Sequence, residues 1–411
     1  MSSVPTAEPG TGTGDHVAAL ESVIDTVIAP NAAEVDRGGT YPRAGIEALG
    51  KSGLLALTSA PEVGGPGAGL GAAAHVVERL AGVCGSTAMV VLMHYAATSV
   101  IETHGPEDLR RAIAGGGHLT TLAFSEAGSR SHFWAPVGTA TADRTATAHR
   151  TATAHRTATA DGDTVRLRAQ KSWVTAAGEA DTYVWSSRPL DGPGAMTLWT
   201  VPSDADGLTV QGRFDGLGLR GNASSPIAAE DVQIPVSAML GGDGSGMDIA
   251  RHTVLPTFLV LNAAFSVGVM ESLAGLALQH LTRTKLTHLG EILADQPVAR
   301  AGFARLRIRA DEAKAFLHDT LGALQAERAD AALRVLQVKA VAAEAASEVA
   351  DGVMRLCGGS AFRKELGVER RFRDALAARV MAPTTEALRD FVARACLGRP
   401  LLDGARDGEG A

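Results

Sequence analysis

Between residues 17 and 33, apolar side chains return every three or four positions (Val17, Leu20, Val23, Ile24, Val27, Ile28). That is the spacing of one buried helix face. Pro30 is expected to bend or end this helix. A second helix is expected over residues 43–53, RAGIEALGKSG, closed by a glycine suited to a left-handed cap. Residues 62–71, EVGGPGAGLG, cannot be helical. They share the glycine spacing of phosphate-binding loops, but nothing around them reads as the strand, loop and helix such a loop requires. From residue 72 the helical pattern resumes in AAAHVVERLAGVCG and STAMVVLMHYAATSVIETHG.

At Leu119 the period shortens. LTTLAFSEAG, TVRLRAQKSWVT, DTYVWSSR, AMTLWTVP and LTVQGRF read as short strands separated by Gly, Pro and Asp turns. This pattern predicts an antiparallel β-barrel or sandwich. Residues 139–161 hold a six-residue repeat, TATADR then TATAHR twice, with His149 and His155 one repeat apart. It is expected to form a protruding surface hairpin without a catalytic part. Beyond Gly246 the chain turns helical again, over residues 249–282, 297–327, 331–357, 368–378 and 385–396. Leu306, Ile308, Ala313, Phe316, Leu317 and Leu321 mark one apolar face there. The expected fold is multidomain, α and β. A flexible N-terminus (1–16) leads into an N-terminal helical domain (17–118) and a middle β domain (119–240) carrying the repeat. A C-terminal four-helix bundle (241–398) and a flexible tail (399–411) follow.

Composition narrows the class. With 411 residues, 45% of them hydrophobic, the chain can bury more than one core. A net charge of −7 without a long basic run argues against a nucleic-acid partner. Cys84, Cys357 and Cys396 are too few and too scattered for a disulfide framework or a multi-cysteine metal site. The start, MSSVPTAEPGTGTGDH, lacks the basic and apolar regions of a signal peptide. The apolar run from 253 to 275 is broken by Pro256, Asn262 and Glu271, so a buried helix is expected and not a membrane span. The cytoplasm is the expected compartment.

Four stretches carry candidate chemistry. In Lys171-Ser172-Trp173-Val174-Thr175, an indole and a hydroxyl lie two residues apart. They could supply the flat apolar wall and polar edge contacts that a flavin ring needs. Gly358-Gly359 would let backbone approach a cofactor with no Cβ in the way, or could simply cap a helix. Leu356 to Phe362 (LCGGSAF), followed by Val368 to Ala375 (VERRFRDA), resembles the flavin-contacting end of acyl-CoA dehydrogenases. Ser125 to His132 (SEAGSRSH) is similar to that family's Thr-Glu-Pro-x-x-Gly-Ser-Asp loop, and KSWVT to its Lys-x-Trp-Ile-Thr strand. Thr284 to Gly290 with Asp295-Gln296-Pro297 resembles its diphosphate-binding segment, and Met93-His94 its N-terminal domain. The resemblance implies FAD as cofactor, contacted by Phe124, Ser125, Ser131, Trp173, Val174, Thr175, Lys285, Gly358, Gly359 and Thr384. It implies that Ser131 and His94 meet the substrate, with a packed core or cleft residue as the other reading of His94, and that Arg373 and Asp374 form an ion pair or helix clamp.

The family's catalytic carboxylate is not where the resemblance would put it, because that position is Ala382. The alternative position on the first long C-terminal helix falls at Thr257 or Phe258. Glu386, one helical turn beyond Ala382, is the candidate base, or else a charge favourable to a helix N-terminus. Three functions follow. The first is FAD-dependent α,β-desaturation of an acyl thioester on CoA or a carrier protein. The second is a monooxygenase using reduced flavin and oxygen, suited by Met381, Ala382, Phe258 and Phe133. The third is a catalytically silent flavin-binding paralogue. The implied partners are a second or further copies of the chain, as homodimer or homotetramer, and an electron-transfer flavoprotein, flavin reductase or acyl carrier protein. No nucleic acid, membrane or metal is implied.

Overall fold

The computed structural model describes residues 13–129, 132–142 and 164–402. The first amphipathic stretch is longer than its spacing predicts: α1 (Thr13–Val23) and α2 (Ala29–Gly38) are joined by a π turn (Ile24–Ile28). Pro30 therefore does not end the helix. It sits in the first turn of α2 just after the wider π turn, which accommodates a residue without an N–H. The stop comes at Gly39, in the left-handed region at φ 56°. α3 (Arg43–Lys51), α4 (Gly69–Val83), α5 (Gly85–His104) and α6 (Glu107–Ala114) complete the first domain. The glycine-rich loop folds back on its own backbone, since a Cβ at Gly65 would lie 2.2 Å from the Ser59 carbonyl oxygen. Every residue of α5 from Gly85 to Thr98 is buried, making it the central helix of the domain.

The middle domain is two open four-stranded sheets. One runs in the order β1 (Thr120–Ala123), β4 (Thr182–Ser187), β5 (Thr197–Pro202), β8 (Met239–Leu240). The other runs β2 (Thr139–Ala142), β3 (Thr164–Val174), β7 (Ser225–Pro235), β6 (Leu208–Val210). All pairs are antiparallel except β1 with β4, which is parallel. The strand pattern missed β7, whose two alanines and internal Glu-Asp blur the alternation. Trp185 and Trp199, opposite each other on β4 and β5, are both fully buried. Of the expected repeat hairpin, β2 holds the first four residues; residues 143–161 lie outside the described ones.

In the third domain, α7 (Gly246–Ile249), a π turn (Ala250–Val254) and α8 (Leu255–Arg283) make one continuous rod. It is long and apolar enough to cross a membrane, yet it packs on α4, on α9 (Pro297–Gln325) and on α10 (Ala331–Cys357), and every residue from Phe258 to Met270 is buried. The short β9 (Lys285–Leu286) and β10 (Glu291–Ile292) form a hairpin between α8 and α9. α11 (Val368–Ala375), α12 (Ala377–Val380) and α13 (Thr385–Cys396) close the bundle against α10.

α11 ties the three domains together. Arg371 donates to the Gly82 carbonyl and Ser272, while Arg370 donates to the Val83 carbonyl, so two guanidiniums sit on the negative end of α4. Arg373 pairs with Asp36 of α2 and Glu369, and the Asp374 carboxylate accepts the Leu219 N–H at 2.7 Å. The expected helix clamp is thus a three-domain junction.

Candidate active site

The end of β3 departs from regular pairing where the candidate flavin residues lie. The β3–β7 register shifts between Lys171 and Val174, which leaves Ser172 and Trp173 in a bulge. Trp173 takes φ 58°, a strained choice for a bulky residue, and holds its indole 70% exposed, edge-on to Phe214 at 6.5 Å. The neighbouring Val174 and Thr175 turn inward, and the Thr175 hydroxyl meets that of Ser224 at 3.1 Å.

Beneath this bulge lies a buried ion pair to which the sequence reading assigned no role. The Lys171 ammonium donates to the Glu126 carboxylate at 2.6 Å and to the Ser186 carbonyl and hydroxyl at 2.7 and 2.9 Å. Glu126 in turn accepts the Val137 and Gly138 N–H groups at 2.6 and 2.9 Å. Burial pulls the ammonium down to about 8, and Glu126 opposes that pull. The two expected motifs meet directly here, as Ser172 N–H donates to the Ser125 carbonyl at 2.9 Å. Phe124 is buried and stacks on Phe133 at 6.5 Å. The rings continue through Trp134 to Phe391 on α13. Ser131 lies outside the described residues.

A second cluster surrounds the turn between α12 and α13. Lys339 of α10, with no exposed surface, donates to the Met381 and Pro383 carbonyls at 2.8 and 2.7 Å. These two carbonyls flank Ala382. Burial lowers the Lys339 ammonium to about 7, with Glu386 pulling the other way. Phe258 presents its ring 6.0 Å from Lys339 Nζ, and one turn along α8 Asn262 Nδ2 donates weakly to Met381 Sδ at 3.8 Å. Thr384 caps α13, its hydroxyl accepting the Ala387 N–H at 3.3 Å. Glu386 is exposed in the first turn of α13. Lys339 and Asn262 were missed as site residues. The signal for Lys339 was a lone lysine in the apolar run VLQVKAVAA, and for Asn262 a lone amide in LPTFLVLNAAF.

His94 is corrected. It has no exposed surface; one ring nitrogen meets the Leu55 carbonyl at 2.9 Å and the other accepts the Thr120 N–H at 3.1 Å. Burial lowers it to about 4, so it is a neutral bridge between the first domain and β1, with no ring atom left for substrate. Lys285 is exposed on β9. Gly358 adopts φ 57°, ψ −142°, beyond which a Cβ would meet nothing within 4 Å, and Gly359 is equally open. Gly358 lies 19 residues past Lys339 on α10, about 28 Å along the helix axis. Within one chain the glycine pair and the 381–383 turn are therefore separate places. A flavin dinucleotide fits these surfaces: an exposed indole face on a rigid bulge and a glycine pair open to a close approach.

Three models for the acyl-CoA dehydrogenase family match in order: the N-terminal domain at residues 16–115, the middle domain at 138–232 and the C-terminal domain at 244–397. The probable acyl-CoA dehydrogenase YngJ of Bacillus subtilis is 28% identical over 383 residues, 90% of this chain and 94% of the relative. The butyryl-CoA dehydrogenase of Megasphaera elsdenii superposes with a TM-score of 0.85 at 20% identity, covering 96% of this chain and 100% of that one. A prolyl acyl carrier protein oxidase, AnaB, superposes with a TM-score of 0.80 at 18% identity, covering 95% and 100%.

Proposed function

The chain belongs to the acyl-CoA dehydrogenase family, FAD-dependent oxidoreductases acting on CH–CH groups, and on that footing we propose that it α,β-desaturates an acyl thioester carried by CoA or a carrier protein. The observation that carries this reading is the Trp173 bulge fixed over the Glu126–Lys171 pair, a rigid ledge beside Ser125. Bound FAD would supply the hydride acceptor. Trp173 would cover one face of the ring, and the Thr175 and Ser224 hydroxyls would meet its polar edge. Gly358-Gly359 and Lys285 would meet the diphosphate end in an assembly of two or four copies. The α-proton needs a base, and Glu386 is the carboxylate assigned to it, reached across the turn that Lys339 holds.

The protein should purify yellow, and an anaerobic panel of acyl-CoA and acyl-carrier thioesters should bleach it. Glu386→Gln should slow bleaching by about 100-fold or more; bleaching at the wild-type rate removes Glu386 as base. A specific feature favours a second reading: Met381, Ala382 and Phe258 give the turn an apolar lining, and no carboxylate side chain bonds to it among the described residues. Oxygen uptake with supplied reduced flavin, and no bleaching by any thioester, would select the monooxygenase and a flavin reductase as its partner. Bleaching would instead point to an electron-transfer flavoprotein as the acceptor. Protein that takes up FAD but neither bleaches with any thioester nor consumes oxygen would leave the silent flavin-binding paralogue, and protein that cannot take up FAD would overturn both enzymatic readings. The proposed compartment is the cytoplasm.

A further inference from the structure

Asn262 sits within a helix whose buried face is otherwise apolar apart from Ser266. The other hydroxyls there are satisfied within the helix: Ser266 donates to the Asn262 carbonyl at 3.0 Å and Thr257 to the Thr253 carbonyl at 3.0 Å. The Asn262 carboxamide has no such solution. It has no exposed surface, its Nδ2 makes only the long contact to Met381 Sδ, and its Oδ1 is buried with no partner. A buried amide oxygen left unpaired costs about 1–3 kcal/mol, whereas leucine at this position would cost nothing of the kind.

A second unpaired atom borders the same turn. The Thr385 hydroxyl, 1% exposed, also lacks a partner. The 381–385 turn is therefore held by Lys339 on one side, and two buried polar atoms beside it remain unmatched. The Phe258 ring, 6.0 Å from Lys339 Nζ, and the Met381 thioether offer no hydrogen-bond donor to either oxygen. A purely aliphatic acyl group placed against this turn would leave the Asn262 oxygen unpaired in the complex as well.

We propose that Asn262 is a specificity residue that accepts a hydrogen bond from a hydroxyl group on the acyl chain, so that the preferred thioester is a hydroxyacyl and not a plain alkyl one. The proposal rests on the acyl-thioester reading above and names the substrate class for it. A hydroxyl serves because it can both donate and accept, and so matches the carboxamide whichever way it is turned. A site built around such a bond discriminates strongly against the analogue that lacks it.

The test is calorimetric binding, without oxygen, of butyryl, 3-hydroxybutyryl and 4-hydroxybutyryl thioesters to FAD-loaded protein, each offered on CoA and on an acyl carrier protein. Wild type should bind one of the hydroxylated thioesters at least about tenfold more tightly than butyryl. In Asn262→Leu, checked for full FAD content, that preference should vanish and butyryl should bind at least as tightly as to wild type. Equal binding of all three by wild type overturns the proposal without any variant, and leaves an internal water as the partner of Asn262. Retention of the preference in Asn262→Leu overturns it too. Binding of none of the three in either form overturns the acyl-thioester reading itself.

Discussion

The Asp374 carboxyl is buried at the three-domain junction, with one backbone N–H as its bonded partner, and burial raises it to about 6. Asp36 raises it further, while Arg370 and Arg373 pull it down. A folded-state value above the ordinary 3.8 means that the folded chain binds the proton more tightly. The stability this contributes is fully present below about pH 4 and is lost as pH rises through 6. Asp374→Asn keeps an oxygen for Leu219 but cannot ionise. Relative to wild type it should gain up to about 3 kcal/mol between pH 4 and 7. Denaturant unfolding across that range checks this, and a constant difference would refute it. Lys339 makes the complementary case. Lys339→Met leaves the Met381 and Pro383 carbonyls without a donor and should cost about 2 kcal/mol or more in the same assay. At this scale the sequence names Trp173, Thr175 and the glycine pair only as candidates. It could not show that Trp173 takes a left-handed backbone, because that follows from the β3–β7 register. Nor could it show that His94 is occupied on both sides, because Leu55 and Thr120 are distant in the chain.

Among the elements, α4 and α8 cross where both are small. A Cβ on Gly268 would fall 2.0 Å from the Glu78 carbonyl oxygen, and one on Gly82 would fall 3.3 Å from the Gly268 carbonyl oxygen. Gly268→Ala must push the two helices apart and should destabilise the protein by about 1–3 kcal/mol. Gly275, two turns further along α8, faces open space, and Gly275→Ala should stabilise by up to about 1 kcal/mol. Opposite signs for two identical substitutions in one helix, measured by thermal unfolding, would establish the crossing; like signs would contradict it. The helices themselves were legible because a 3.6-residue apolar period survives in any packing. Their interruptions were not. Pro30 reads as a bend or a stop in isolation, yet here the helix continues through it past a π turn, and the expected single helix over 368–378 divides into α11 and α12. β7 was lost for the opposite reason, since a strand buried partly on both faces has no clean alternation to detect.

For the whole molecule, the junction around α11 predicts coupled domains. Arg373 reaches Asp36, Glu369 and the Leu217 carbonyl at once, so Arg373→Ala should lower the unfolding temperature and broaden the transition as the first domain loosens from the bundle. The wide separation of Gly358-Gly359 from the 381–383 turn, with Val298, Ile308 and Phe362 exposed on the helical domain, fits an assembly larger than one 42.2 kDa chain. Sedimentation of the FAD-loaded protein should give two or four times that mass; a monomer retaining full FAD content would contradict it. The order of domains, α then β then α, was readable from the sequence alone, because the switch from helical to strand period and back is written locally. So were the residue types proposed to face the flavin, and the alanine at position 382. Tertiary structure alone decided which polar groups are used up and which are left over. It closed His94 and Glu126 into the scaffold, set Lys339 under Ala382, and left the Asn262 oxygen unmatched. Hydrogen-bond satisfaction is a property of neighbours brought together from far along the chain, and no local pattern encodes it.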